Sequence, residues 1–215
     1  MTNTLYCFAE SGNAYKAALA LELAGIPWQP RFVDFFNGEG RTPAFRALNP
    51  MGEVPVLDAD GLILTQSGLI QHWVMEETGK LGGATKPEQR EVLRWTIFDN
   101  QKVSGMAGPL RAMMNFLPED KRDPGAIAFL KGRMIAALGV LDSVLCTRDW
   151  LAAGHLTCAD ISCAGYLYYP EPFGFTRADF PHVDRWLTRL AQTPGWKHPY
   201  DLLPAPTVGT DTRGT

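Results

Sequence analysis

A chain of 215 residues is long enough to bury a sizeable core in one large or two small domains. Its 46% hydrophobic and 20% charged residues are ordinary for a globular protein, and a net charge of −3 disfavours a nucleic-acid binder, which carries a basic face. No apolar run approaches the ~20 residues that span a bilayer, and Met1 to Thr4 lead straight into a strand without the features of a secretion signal, so a cytoplasmic location is expected. Cys7, Cys146, Cys158 and Cys163 form no C-x-x-C pair and have no histidine cluster beside them, which argues for buried reduced thiols and against a metal site.

Leu5-Tyr6-Cys7-Phe8 reads as a buried strand, and Ser11-Gly12-Asn13 introduces a helix from about Ala14 to Leu23, ended by Ala24-Gly25. Trp28 to Val33 is a second strand, in which Pro30 points to an edge or a bulge. The polar stretch from Arg41 to Leu48 holds one irregular helix. Two short strands, Val56-Leu57 and Leu62 to Leu64, flank the hairpin signal Asp58-Ala59-Asp60-Gly61, and a helix follows from Gly68 to about Glu77. This β-α-β-(α)-β-β-α order makes an α/β unit over residues 1–79, and the glycine-rich residues 80–87, closed by Pro87, form a linker.

Helical periodicity dominates residues 88–203. Trp95, Asp99, Val103, Met106, Leu110, Met113 and Leu117 recur every three or four residues along a long helix that Gly105, Gly108 and Pro109 should bend in its middle. Asp123-Pro124 supplies an N-cap and a first-turn proline for a helix with Ile127, Leu130, Met134, Leu138, Leu141 and Leu145 on its face. Thr157-Cys158-Ala159-Asp160 fits a capping box ahead of Ile161, and a further helix spans His182 to Gln192. Residues 204–215 are small and polar and read as a flexible tail.

Two short pieces carry the chemistry. Val54-Pro55 stands just before an apolar strand; a cis proline there turns the preceding residue's N–H and C=O off the sheet, free to pair with an extended peptide. Gln66-Ser67 opens a helix, whose free backbone N–H groups make a carboxylate site. Together they describe a receptor for a small anionic peptide.

These motifs resemble the glutathione-binding half of the glutathione S-transferase family, in the right order and over roughly residues 4–200. The resemblance implies a thioredoxin-like N-terminal domain with a mixed four-stranded sheet and an all-α C-terminal domain. It implies that Val54, before a cis Pro55, holds the cysteinyl backbone of glutathione, and that Gln66 and Ser67 hold its γ-glutamyl end. It also implies a homodimer using glutathione as co-substrate against a small hydrophobic electrophile, a detoxification chemistry with no metal, nucleic-acid or membrane partner.

A free thiol titrates near ~8.5, so its activation needs hydrogen-bond donors and positive potential beside the sulfur. Ser11, at the start of the first helix, offers a hydroxyl and the helix dipole; as a bare position it reads equally as a helix cap. Asn13 competes through its side-chain N–H. Cys7, inside the strand, is expected to be inert, and Ser11 rather than a cysteine occupies the family's catalytic position, which disfavours mixed-disulfide chemistry. Gln66 lacks the charge that would pair the γ-glutamyl ammonium, and Asp99 is the candidate replacement, reaching the ligand across the dimer or else bonded to Lys102 or Arg94. Glu53 either bonds its own backbone or contacts the ligand, and Arg41 reaches the glycyl carboxylate if its loop folds inward. Met106, Met113 and Tyr166, with Phe116 nearby, are candidate walls for the electrophile or plain core. Gly12, where many members of the family carry proline, is expected to let the loop move. Two alternatives stand beside the transferase: a glutathione-dependent peroxidase or disulfide reductase without a protein cysteine, and a non-catalytic glutathione-binding or interaction protein.

Overall fold

Residues 3–205 are described by the computed structural model. Strands β1 (Asn3–Cys7) and β2 (Trp28–Phe32) run parallel, while β3 (Val56–Ala59) lies antiparallel to β1 and β4 (Leu62–Thr65) antiparallel to β3. The mixed sheet has the order β2-β1-β3-β4. A parallel pair needs a crossover, and α1 (Gly12–Ala24) supplies it. Ser11 caps α1, its Oγ accepting from the Ala14 N–H at 3.1 Å, and Gly25 ends it in the left-handed region. Alanines and leucines surround α1 on every side, and it is buried along its length between α3 (Ser67–Thr78) and the second half of the molecule.

Pro30 lies on β2, an edge strand, where its missing N–H removes no ladder bond from the sheet interior. The hairpin is tighter than expected: Asp58 and Ala59 continue β3, and Asp60-Gly61 alone turn the chain, both at positive φ as a two-residue hairpin turn requires. The helix expected from Arg41 splits into a single turn, Glu39–Arg41, and α2 (Pro43–Leu48), because Thr42 caps the latter through the Phe45 N–H.

The second half is helical. α4 (Lys86–Phe98) starts at a Thr85–Glu88 capping box, a signal the linker reading passed over. The expected bend at Gly105, Gly108 and Pro109 is displaced. Asp99–Val103 instead form one π turn, closed by the Ser104 N–H on the Asp99 carbonyl, and α5 (Ser104–Asn115) runs on with Pro109 inside it. Asp123 caps α6 (Pro124–Leu145) through the Gly125 and Ala126 N–H groups. The capping box of α7 (Cys158–Ala164) forms as expected, and Asp160 accepts further bonds from the Leu151 N–H and the Trp186 indole. α8 (Pro181–Ala191) packs on α6, and a short α9 (Pro199–Leu202), absent from the sequence reading, closes against α1.

Backbone groups tie the halves together. The Ala9 N–H donates to the Pro204 carbonyl at 3.1 Å, Tyr15 Oη to the Lys197 carbonyl at 2.8 Å, and Tyr169 Oη to the Ala9 carbonyl at 2.7 Å. Pro204 is thus engaged with Ala9, just past β1; the rest of the expected tail beyond Ala205 lies outside the described residues. Among the described residues no helix is long and apolar enough to cross a membrane, and no cluster of three His, Cys, Asp or Glu is placed to hold a metal.

Candidate functional site

The start of α1, the loop ahead of β3 and the start of α3 converge on one polar pocket, lined by Asn13, Asn49, Glu53, Val54, Pro55, Gln66, Ser67 and Asn100. The loop from Asn49 to Pro55 owes its shape to Asn49, which is buried: Nδ2 donates to the Glu53 carbonyl at 2.8 Å and Oδ1 accepts from the Met51 N–H at 3.1 Å. This is the side-chain turn an asparagine makes two residues upstream, readable from Asn49-Pro50-Met51 but given no role there. The Val54–Pro55 peptide is cis.

Across the pocket, no side-chain hydrogen bond from the N-cap residue Gln66 caps α3. Helix geometry leaves its first N–H groups without intrahelical partners, and they open beside Ser67, which is itself buried. Gln66 sits at φ 72 and ψ 121, outside even the left-handed helical region, a conformation costing on the order of 1–3 kcal/mol for a residue with a Cβ. Backbone strain of this kind concentrates where a ligand is held. The Gln66 amide rests on Met51 Sδ at 3.2 Å.

Other sequence candidates stand elsewhere. Ser11 is a buried helix cap outside the pocket lining. Arg41 is exposed, its guanidinium turned back against Gly38. Asp99 requires a correction: it is fully buried and pairs with Lys16, while Arg94 pairs with Glu91, so Asp99 reaches neither a pocket of this chain nor that of a second copy. Asp99 keeps the buried face of Trp95 and Val103, and its neighbour Asn100 lines the pocket. Glu53 is the carboxylate on the lining.

Met106 and Met113 are half-buried on α5, and Tyr166 is core. The Tyr166 ring packs so closely on Gly12 that a side-chain carbon there would lie 2.6 Å from it, so Gly12 serves close packing and not the loop mobility read from sequence. Burial pushes the Tyr166 phenol up to about 12, against the pull of Arg111 and the Asn13 backbone N–H. Burial likewise raises the Cys7 thiol to about 12, and Cys7 is fully enclosed. Sequence reasoning missed Phe35 and Phe36, which with Phe8 and Phe116 form an aromatic cluster joining the two halves. Phe8 stacks on Phe35 at 4.9 Å between centroids, and Phe36 meets Phe116 at 5.3 Å. The Ser11 N–H bonds to the Phe8 carbonyl, so this cluster borders the start of α1.

The sequence profile of the glutathione S-transferase N-terminal domain matches residues 10–77, and that of the C-terminal domain matches residues 118–194. A crystal structure of a possible glutathione S-transferase from Rhodopseudomonas palustris is 35% identical, covers 92% of this chain and 98% of its own, and superposes with a TM-score of 0.86. The chain belongs to the glutathione S-transferase family. Glutathione S-transferase GstB of Escherichia coli K12 is 27% identical over 195 residues, spanning 89% of this chain and 94% of GstB. Elongation factor 1-gamma-A of Xenopus laevis is 29% identical over 207 residues, 90% of this chain but 45% of the elongation factor. The chain therefore spans less than half the length of the elongation factors it matches.

Proposed function

We propose that this glutathione S-transferase activates the thiol of glutathione for attack on a small hydrophobic electrophile. The observation that carries the reading is the convergence of Asn13, Val54, Ser67 and the uncapped start of α3 on one pocket. The γ-glutamyl carboxylate takes the Ser67 hydroxyl and the free N–H groups of α3, and the ammonium takes Glu53 and the Gln66 carbonyl oxygen. Val54 pairs the cysteinyl backbone as a short added strand. The Asn13 amide donates to sulfur and lowers the thiol pKa; the released proton passes to solvent, and the sulfur lone pair forms the new bond to carbon. The carbon–leaving-group bond breaks with its electron pair departing on the leaving group, chloride in the case of a chloronitrobenzene. Ser11 contributes as the cap that fixes the start of α1. The electrophile lies toward the Phe8, Phe35, Phe36 and Phe116 cluster, whose ring faces suit a flat apolar molecule.

A homodimer and a cytoplasmic setting are part of the proposal. Leu69, Leu93 and Ile97 stand exposed on α3 and α4, with Leu62 and Ile63 on β4, an apolar face that a second copy would cover. The test is glutathione titration calorimetry joined to turnover of a chloronitrobenzene and of an organic hydroperoxide. Ser67→Ala should weaken glutathione binding at least about tenfold, the worth of a hydrogen bond to a charged group. High peroxide turnover with no conjugation reassigns the site to a peroxidase. Absence of glutathione binding leaves an interaction module of the kind the elongation-factor likeness favours.

A further inference from the structure

We propose that the buried Lys16–Asp99 ion pair is a positioning device for Asn13, fixing which end of its amide faces the glutathione sulfur. The inference rests on the reading of Asn13 as the thiolate donor. Lys16 lies one turn beyond Asn13 on α1 and is fully buried. Its ammonium has three partners: Asn13 Oδ1 at 3.0 Å, Ser104 Oγ at 2.5 Å, and the Asp99 carboxylate. An ammonium only donates. The amide atom that faces it must be oxygen, so both N–H bonds of Asn13 are directed away from Lys16. Reversal would set two donors against a cation. The charge-assisted bond to Oδ1 also polarises the amide and strengthens those N–H groups as donors to an anion.

Nothing in the cluster is free to reorient. The Lys16 stem crosses Gly165 so closely that a side-chain carbon there would lie 2.5 Å from Cγ and 2.7 Å from Cε. Ser104 Oγ donates to Asp99 Oδ1 at 2.6 Å and Ser162 Oγ to Oδ2 at 2.6 Å. These groups come from α1, the π turn, α5 and α7, so the cluster spans both halves of the molecule. Stability alone does not account for it, because a buried ion pair usually gains little over apolar residues of equal volume. The charges of Lys16 and Asp99 offset each other. Glu53 faces the pocket from the loop ahead of β3, and the Tyr166 ring lies 6.0 Å from the Lys16 ammonium. Amide orientation, and not net positive charge, is therefore what the pair contributes.

The test is the pH titration of glutathione thiolate absorbance in the complex, for wild type, Asn13→Ala, the paired Lys16→Met and Asp99→Asn variant, and the triple variant. Removing both charges together avoids stranding a buried carboxylate; Lys16→Gln with Asp99→Asn is the second variant, whose uncharged amide can face Asn13 either way round. The paired variant should raise the bound thiol's pKa by about one unit, a tenfold smaller thiolate fraction near neutrality, with glutathione affinity within about threefold of wild type. Asn13→Ala should raise it as much, and the triple variant no further, because the pair acts through Asn13. A wild-type thiol pKa in the folded paired variants overturns the proposal. So does an additive effect in the triple variant, which would mean that the pair acts on sulfur directly. A bound thiol that titrates normally in the wild type sinks the donor role of Asn13 itself, and the positioning role with it.

Discussion

Gly12→Ala probes the closest approach between the two halves. A Cβ built on Gly12 lies 2.6 Å from Cγ and Cδ2 and 2.7 Å from Cδ1 of Tyr166, against about 3.5–4.0 Å for a relaxed carbon contact. The ring must retreat by about 1 Å. It has little room, since Tyr166 is 7% exposed and its hydroxyl abuts Gly108. Overpacking of this kind costs about 1–3 kcal/mol. Alanine returns about 0.5–1 kcal/mol at a helical position, so the net loss is about 0–2.5 kcal/mol, centred near ~1. For a chain of this size a loss of about 1 kcal/mol lowers Tm by about 2–4 °C. In a Tyr166→Ala background the clash is gone, and the same substitution should stabilise by about 0.5 kcal/mol. Urea and thermal unfolding, followed by tryptophan fluorescence, read both backgrounds. An unchanged or raised Tm in the otherwise native chain, or an equal loss in both backgrounds, would refute the close-packing account of Gly12.

Gln66→Gly removes a Cβ from a backbone at φ 72, and should raise Tm while weakening glutathione binding several-fold, since the pocket loses a lining amide; a fall in Tm would show that Gln66 is not strained. Burial would raise the Glu171 carboxyl, yet bonds from Tyr200 and Arg111 hold it below its ordinary value of about 4.5. With the folded value depressed, this stabilisation is present above about 4.5 and is lost as pH falls through the folded value. Wild type should therefore lose Tm on acidification more steeply than Glu171→Gln, and parallel curves would remove Glu171 from the balance.

The two-part architecture was legible because its signals are local: a hairpin turn at Asp60-Gly61, a cap at Asp123, a capping box at Thr157 and Asp160. So was the grouping of Val54, Pro55, Gln66 and Ser67, which lie within fourteen residues on adjoining turns. Asp99 was misread for a definite reason. Its stripe with Trp95 and Val103 is buried as read, but its partner Lys16 comes from α1, 83 residues away, and no local signal announces that pair. Lys16 drew no notice because a lysine in a helix reads as solvated until its partners, Asp99 and Ser104, arrive from the far half of the chain. Gly12 was taken for a flexible joint because the ring that fills its space belongs to Tyr166.

The bond from the Ala9 N–H to the Pro204 carbonyl, with Tyr15 on Lys197, bears on how the protein is made. Ribosomes extend a chain at about 5–20 residues per second, so about 10–40 s separate the emergence of β1 from that of the segment that closes over it. During that interval the sheet can assemble and Asp99 and Tyr169 become available to Lys16 and Ala9, but the bond from the Ala9 N–H waits for Pro204. A nascent chain stalled before α9 would therefore carry every residue that lines the pocket and every partner of Lys16, and would lack the Pro204 carbonyl that holds the stretch just upstream of α1.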